Sequence, residues 1–538
     1  MPTTAHAIRP RRSTRSPRGL AVSGTWSGTA LLGSVGSIIP RGHRERAPVG
    51  ARCSGPRRGR DGAARQRCRR PGAGASAVAS GRPSGEGGSV AQPASSTPGT
   101  AGAEHRSGRR ANPVARFLKA LGPGLVTGAA DDDPSGVATY AQAGATFGNA
   151  MLWTVPFTLP LMMAVQEICD RMALASGDSL GMLIRRRFRG GARTAIVVLM
   201  AALIVANCLN LAADLMAIGQ GVQLLGAGPA PVWSAVAGVG IVVALVLGSF
   251  DWIGRIFKWL CLVLLVYVGV LFAADVDWAD VGAGLLGTQV HLTPDYVGLT
   301  VGVLGTTISP YMFFWQTAQR VEELREEPLG GDGTAALDQR SVGEARRRLR
   351  TGRLDVFTGM VFSVLIMFAI IAATAATLGT RHQTVTSAAQ AAQALEPIAG
   401  TYAGALFAIG FIGSGILAVP VLAASGAAGM AALLDKRWGL EKSPRKAPVF
   451  YLLLGVGVVA GTLLSVFLSN PIRLLVLSAV VNGIAAGPFV VIMMLISHDR
   501  TIMHRYRNGA LSRTLGWAAA VIMCVGGVYG VWYTVAGG

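Results

Sequence analysis

From Phe117 to the end, the chain alternates apolar runs with short polar loops. A helix needs about 20 mostly apolar residues to cross a bilayer. Eleven runs meet that length, near 119–146, 149–169, 194–216, 230–249, 254–275, 294–318, 354–379, 401–431, 448–468, 472–496 and 513–535. The first, sixth and eighth are the least uniform. The pattern predicts an all-α polytopic membrane protein with about 11 transmembrane helices, because a helix satisfies its own backbone in lipid.

Basic residues fall on alternate loops. The loop after run two carries Arg185, Arg186, Arg187, Arg189 and Arg193, and the loop after run four carries Arg255 and Lys258. After run six come Arg320, Arg325, Arg340, Arg346, Arg347, Arg348 and Arg350. After run eight come Lys436, Arg437, Lys442, Arg445 and Lys446, and after run ten Arg500, Arg505, Arg507 and Arg513. Arg381 and Arg473 are minor exceptions on the other side. The positive-inside rule therefore predicts a cytoplasmic N-terminus and cytoplasmic even-numbered loops, with the C-terminus outside the cell membrane.

Composition narrows the class. The 538 residues are 51% hydrophobic and 14% charged, with a mean hydropathy of +0.45. A soluble surface of this extent wants about a quarter of its residues charged. A soluble enzyme, a disordered scaffold and a nucleic-acid-binding protein are disfavoured, and no nucleic-acid partner is expected; the lipid bilayer is. The formal charge of +21 is unevenly spread: residues 1–112 hold 20 Arg and no Lys against four acids, a local +16, which leaves +5 for the rest. That Gly-, Ser- and Arg-rich segment buries too little apolar surface to fold, so 1–112 reads as a disordered cytoplasmic tail. It is a passenger or the product of a start codon assigned too early rather than the alternative, an electrostatic contact with anionic lipid or RNA, since Arg without Lys suits GC-rich coding better than a selected basic patch. The transporter domain is then 113–538, with one five-helix repeat over about 117–275, a second over about 294–496 and an extra helix over about 513–535. Cys53 and Cys68 lie in the tail; Cys169, Cys208, Cys261 and Cys524 lie singly in or beside apolar runs and read as small hydrophobes.

Two runs are interrupted. The first contains Ala130-Asp131-Asp132-Asp133-Pro134-Ser135-Gly136. An acid at a helix centre costs about 3 kcal/mol even on insertion scales, so intramembrane acids point to a cavity, a cation or a partner. Successive helical residues are about 100° apart, so the three carboxylates cannot share one direction. Asp133 is the strongest site candidate: the residue before a proline leaves the α region, and Pro134 cannot donate to the carbonyl of Ala130. Asp131 and Asp132 fit a boundary role near water equally well. The sixth run contains Gly305-Thr306-Thr307-Ile308-Ser309-Pro310-Tyr311. Pro310 frees the Thr306 carbonyl, and the hydroxyls of Thr306, Thr307 and Ser309 add oxygens. The plainer reading is a proline kink whose hydroxyls bond back to the helix. Runs one and six open two five-span sets entering from opposite sides, the mark of inverted repeats around a midplane site built from discontinuous helices. An all-oxygen site suits Mg²⁺, Mn²⁺ or Ca²⁺.

At these residues the chain resembles the Nramp family of divalent metal transporters. Gly122-Pro123-Gly124 with Asp133-Pro134 resembles the family's first-helix GPG…DPGN pattern, and Leu304-Gly305 with Pro310 resembles its sixth-helix LG-A-T-x-M-P-H pattern. Met151-Leu152-Trp153 and Ala213-Asp214-Leu215 extend the likeness, which runs from about Ala115 to the end of span eleven. The resemblance implies a LeuT-like fold of two inverted five-helix repeats, with metal between the broken helices one and six. It places Ala130, Asp133, Gly136, Thr306 and Ser309 around the metal, with Asp131, Asp132, Thr307, Tyr311, Asp214 and Asn482 around them or on the pathway. Gly136 stands where the family has Asn, Ser309 where it has the Met sulfur ligand, and Tyr311 where it has His. Loss of a thioether removes discrimination against Mg²⁺, so the chain looks like the Nramp-related magnesium branch. The expected cargo is Mg²⁺ with Mn²⁺, and no cofactor is expected. A phenol does not titrate near neutrality as imidazole does, so weak or absent proton coupling is expected, although Asp214 keeps an acid in span three.

Three other readings compete. An ordinary proton-coupled Mn²⁺/Fe²⁺ transporter of this family is the nearest. A Na⁺-coupled organic-solute symporter would need no acid-proline break. A metal-sensing membrane regulator would need a signalling domain, and the loops are short, the longest about 35 residues between spans six and seven. No P-loop, H-E-x-x-H or G-x-S-x-G on a strand-to-helix turn is present, so no enzyme is expected. The acids and arginines after span six, Arg320 to Glu327, read as a solvated helical face.

Overall fold

The structure is a computed structural model and describes residues 123–247, 250–327, 334–379, 403–467 and 471–536. The tail of residues 1–112, with Cys53 and Cys68, lies outside the described residues, as do Gly122 and Arg381.

Sixteen α-helices are described. They are α1 (Pro123–Asp131), α2 (Pro134–Phe147), α3 (Thr154–Ser176), α4 (Leu180–Arg187), α5 (Gly190–Leu224), α6 (Ala230–Leu247), α7 (Phe250–Ala273) and α8 (Trp278–Leu285), then α9 (Pro294–Thr307), α10 (Pro310–Glu326), α11 (Val342–Thr377), α12 (Ala403–Leu433), α13 (Pro448–Phe467), α14 (Pro471–Ser497), α15 (Arg500–Met503) and α16 (Ala510–Ala536). Among the described residues, every expected apolar run is largely helical. Spans one and six are the pairs α1/α2 and α9/α10; α3, α5, α6, α7, α11, α12, α13, α14 and α16 are the others. Among the described residues, eight helical stretches are long and apolar enough to cross a membrane by themselves, the α9/α10 pair counted as one. The first span falls short because its break divides it into 9 and 14 residues. α2 and α3 meet at a 111° bend, and α7 keeps a short apolar core over Trp259–Phe272. The chain is a multi-pass membrane protein.

Packing repeats with a twist of direction. α11 runs along both halves of the first broken helix, and α3 along both halves of the second. α5 packs on α6 and α14, and α12 packs on α13 and α7. α7 reaches α1, as α14 reaches α9. These pairs match when spans one to five are laid on spans six to ten, so the fold is two inverted five-helix repeats. Small residues make the closest crossings. Gly124 and Gly128, four apart on α1, face Gly359 of α11 backbone to backbone, and Gly305 of α9 sits against Gly483 of α14. In lipid, where hydrophobicity does not drive helices together, such contacts supply the packing.

The loop between spans six and seven is shorter than expected. α10 continues to Glu326 and α11 starts at Val342, so only 327–341 connects them. Charged turns extend both helices past their apolar stretches, and Ser341 caps α11 by accepting from the Glu344 amide at 3.3 Å.

Candidate functional site

The first break falls at Asp132 and Asp133. Asp133 leaves the helical region (φ −65°, ψ 167°) and caps α2. Its Oδ1 accepts from the Gly136 amide at 2.7 Å and the Ser135 hydroxyl at 2.6 Å. Its Oδ2 is buried and takes no hydrogen bond of ordinary geometry, and the Tyr311 hydroxyl lies near this carboxylate. The second break is Ile308 and Ser309, with Pro310 starting α10.

Two carbonyls that the prolines strip of helical donors lie at these breaks, and each finds a hydroxyl. Tyr311 donates to Ala130 O at 3.2 Å, across the gap between the two broken helices. Ser309 donates to Thr306 O and Gly305 O, both at 2.8 Å. Thr307 likewise bonds back to Val303 O at 2.7 Å. The Thr306 carbonyl, expected to be free, is thus engaged, because the N-capping serine sits one turn beyond it. A carbonyl has two lone pairs, so one remains. The Thr306 hydroxyl points out of its own helix, 3.5 Å from the Ser135 hydroxyl. Gly136 makes this approach possible: a Cβ there would lie 3.2 Å from Thr306 Oγ1 and 3.2 Å from Asp131 O. A side chain at that position would be tight, requiring the Thr306 hydroxyl to give by a few tenths of an ångström, so Gly136 and Thr306 fit each other.

The other predicted residues are in the same interior. Asp131 and Asp132 both accept from the hydroxyl of Ser363 on α11, at 2.8 and 3.4 Å. Asp214 of α5 lies within electrostatic reach of Asp133 and Tyr311, and neither of its oxygens has a hydrogen-bond partner among the described residues. Asn482 is buried on α14 beside the Gly305–Gly483 crossing, its amide unpartnered among the described residues. None of Asp131, Asp132, Asp133, Asp214, Thr306 or Tyr311 exceeds 1% exposure, so these groups are shut away from the surface. No Lys, Arg or His bonds these four carboxylates among the described residues: every carboxylate oxygen either meets a hydroxyl or amide or has no partner.

One feature escaped the sequence reading. The charges after span six do not form a solvated face. Arg320 of α10 is largely buried and holds three acids: Asp170 of α3 at 2.5 Å, Glu323 at 2.6 Å and Asp355 of α11 at 3.2 Å. Asp355 also accepts from the Gly124 amide at 2.9 Å, which satisfies one exposed donor at the start of α1. Gln316 accepts from Thr127 of α1 at 2.7 Å and donates to Asp170 at 3.3 Å. Glu322 is buried and accepts from the Leu440 amide at 2.6 Å, and Arg325 covers the Trp438 ring at 4.3 Å while bonding Glu441 at 2.9 Å. The available signal was Gln316 and Arg320, four apart on one helix face in a run otherwise bound for the membrane.

Cys169 and Cys261 are buried as expected, whereas Cys208 and Cys524 are partly exposed.

Two inverted five-helix sets, each opened by a helix broken at a proline around a closed polar centre, define a secondary-transporter fold of the LeuT type. The pattern of the family described as natural resistance-associated macrophage protein-like matches residues 124–533, and the chain belongs to this Nramp family. It is similar to the divalent metal cation transporter MntH of Ralstonia nicotianae, 26% identical over 434 residues that cover 78% of this chain and 92% of that one. The MntH of Deinococcus radiodurans is 27% identical over 447 residues, covering 81% and 95%. Among solved structures, the manganese transporter of Eremococcus coleocola shares the fold, with a TM-score of 0.63 at 16% identity over 77% of this chain and 86% of that one.

Proposed function

We propose that this chain carries divalent metal ions across the cell membrane by alternating access, Mg²⁺ together with Mn²⁺, toward the cytoplasm. The observation that carries the reading is the buried Asp133 Oδ2, left without an ordinary hydrogen bond in the gap between two broken helices. The relatives' printed activity, divalent metal cation transport, agrees with a carboxylate kept there at high cost.

Asp133 supplies the charged ligand, the remaining lone pairs of the Ala130 and Thr306 carbonyls add dipoles, and the Thr306 and Ser309 hydroxyl oxygens complete a hard-donor set. Gly136 lets the two helices close on it. Asp214 faces the ion from α5, Tyr311 fixes the Ala130 carbonyl, and Asp131, Asp132, Thr307 and Asn482 shape the surroundings. With Ser309 and Tyr311 at the family's sulfur and imidazole positions, the donors are oxygens, which favours Mg²⁺ relative to a thioether site. The same replacement leaves no imidazole for proton exchange at Tyr311, so transport is weakly proton-coupled or uncoupled. The even-numbered loops and the N-terminus face the cytoplasm, on the charge of those loops.

The test is uptake of Mg²⁺ and Mn²⁺ into proteoliposomes, with Asp133→Ala alongside. Uptake of both metals, mutual competition and loss of both in the variant are expected. Mn²⁺ uptake that excess Mg²⁺ leaves untouched overturns the Mg²⁺ assignment and leaves the ordinary Mn²⁺ carrier. Metal-dependent acidification of the lumen overturns the weak coupling.

A further inference from the structure

The arginines at the start of α11 are not all matched. Arg340 and Arg348 take up the nearby acids: Arg340 bonds Glu327 at 2.7 Å and Glu344 at 2.6 Å, and Arg348 reaches both as well. Arg353 bonds Glu167 of α3 at 3.0 Å. Arg346, Arg347 and Arg350 are exposed and have no hydrogen bond or ion pair among the described residues. They border a groove of about 620 Å³ together with Thr351, Arg353 and Leu354. Its lining holds four guanidinium groups and no carboxylate. Two other cavities each include acids, Asp338 and Asp499 in one and Glu344 in the other.

The same helix face continues with a different character. Arg346, Arg350, Leu354, Phe357, Val361 and Leu365 follow one another at spacings of three or four, which sets them in one stripe along α11. All six are exposed. The stripe is cationic in the charged turns before the apolar stretch and apolar once that stretch begins. From Leu354 to Leu365 the helix rises about 16 Å, close to the hydrocarbon depth of one leaflet. Guanidinium groups grip phosphate through paired N–H donors, and basic clusters at a membrane boundary attract anionic lipids. A soluble anion would use the groove alone, whereas a phospholipid uses the groove and the apolar stripe that leads out of it.

We propose that this face of α11 binds an anionic phospholipid, its phosphate among Arg346, Arg347 and Arg350 and an acyl chain along Leu354, Phe357, Val361 and Leu365. The site does not depend on the metal reading.

The experiment is thermal melting of the purified full chain in detergent micelles doped with phosphatidylglycerol or, at the same content, phosphatidylcholine. A lipid bound only by the folded state raises the melting temperature. Phosphatidylglycerol is expected to raise it by about 2–3 °C above phosphatidylcholine, on the usual scale of ligand linkage. The triple variant Arg346→Gln, Arg347→Gln, Arg350→Gln is expected to lose that difference and to melt like the parent in phosphatidylcholine. Removing three exposed cations elsewhere, by Lys436→Gln, Arg437→Gln and Arg445→Gln, is expected to leave the difference in place. No difference between the two lipids in the parent protein overturns the site. An equal loss in both triple variants also overturns it, because general attraction to a negative micelle then accounts for the shift. A full shift with soluble glycerol phosphate alone overturns the lipid as occupant. Should the first triple variant fail to fold, Arg350→Gln alone is expected to reduce the difference, and an undiminished one overturns the proposal.

Discussion

The molecule buries two groups of acids and treats them in opposite ways. Where α1, α3, α10 and α11 meet, Asp170, Asp355 and Glu323 share the guanidinium of Arg320, and Asp355 also holds the amide that opens α1. At the midplane, Asp131, Asp132, Asp133 and Asp214 meet hydroxyls and amides, or have no partner among the described residues. The first group is anchored within the chain: one guanidinium serves three acids, and the cluster ties α1, α3, α10 and α11 together. The second keeps carboxylate oxygens that no group among the described residues meets. A buried acid therefore marks a ligand site by what it lacks, not by being buried.

The difference predicts opposite responses to mutation. Arg320→Ala leaves three acids without their shared cation, and breaking a buried pair by removing one partner costs about 3–5 kcal/mol. The expected outcome is severe: a collapse in the yield of folded, detergent-extracted protein and a melting temperature lowered by many degrees. Asp132→Asn goes the other way. In metal-free buffer it replaces a buried acid that has no basic partner among the described residues with a neutral amide, and a rise in melting temperature is expected. If Arg320→Ala melts like the parent protein, or if Asp132→Asn melts earlier, the two groups of acids are not different in kind.

The sequence and the structure agree best where the chemistry is local. Eleven apolar runs became helices because hydropathy over about 20 residues is a property of the run itself. The breaks fell at Asp133 and Ser309 because a proline acts on its own neighbours. The Arg320 network was misread for the same reason. Its partners are 150 residues before it and 35 after it, at Asp170 and Asp355, and Arg320 seen beside Glu322 and Glu323 looks like any solvated face. Side-chain direction was also hidden: nothing in the order of residues says that Ser309 turns back to Thr306 O while the Thr306 hydroxyl turns outward. The eleven-residue spacing from Gly122 to Asp133 identified the first broken helix, but the fit between Gly136 and Thr306 needed both helices in place.

That fit supplies the next test of the midplane. Gly136→Asn restores the family's residue into space already taken by Thr306 Oγ1, with the new Cβ only 3.2 Å from it and from Asp131 O. Overpacking of this kind costs about 1–3 kcal/mol, and the strain acts to part the two breaks. Metal uptake is expected to fall about tenfold or more, with a smaller change in melting. Thr306→Ala in the same chain relieves one of the two close contacts and is expected to return the melting temperature part of the way toward that of the parent. An unchanged uptake rate in Gly136→Asn means that the broken helices do not need to approach this closely.

Tyr311→Phe probes the midplane most gently. It removes one hydroxyl, the donor to Ala130 O at 3.2 Å, and keeps the ring buried in the core. A single neutral hydrogen bond contributes about 1 kcal/mol, and an acceptor left unpaired in a buried place costs somewhat more. Yet this acceptor is a carbonyl at the proposed metal site. If a bound cation takes over the Ala130 carbonyl, the loss is felt only without metal. Melting is then expected to fall by a few degrees in metal-free buffer and to recover most of that difference at saturating Mn²⁺, while uptake changes by less than tenfold. The alternative is a deficit of equal size with and without Mn²⁺. That result makes Tyr311 a strut between the two broken helices that the metal never relieves, and it moves the Ala130 carbonyl from the midplane site to the inert framework exemplified by Arg320.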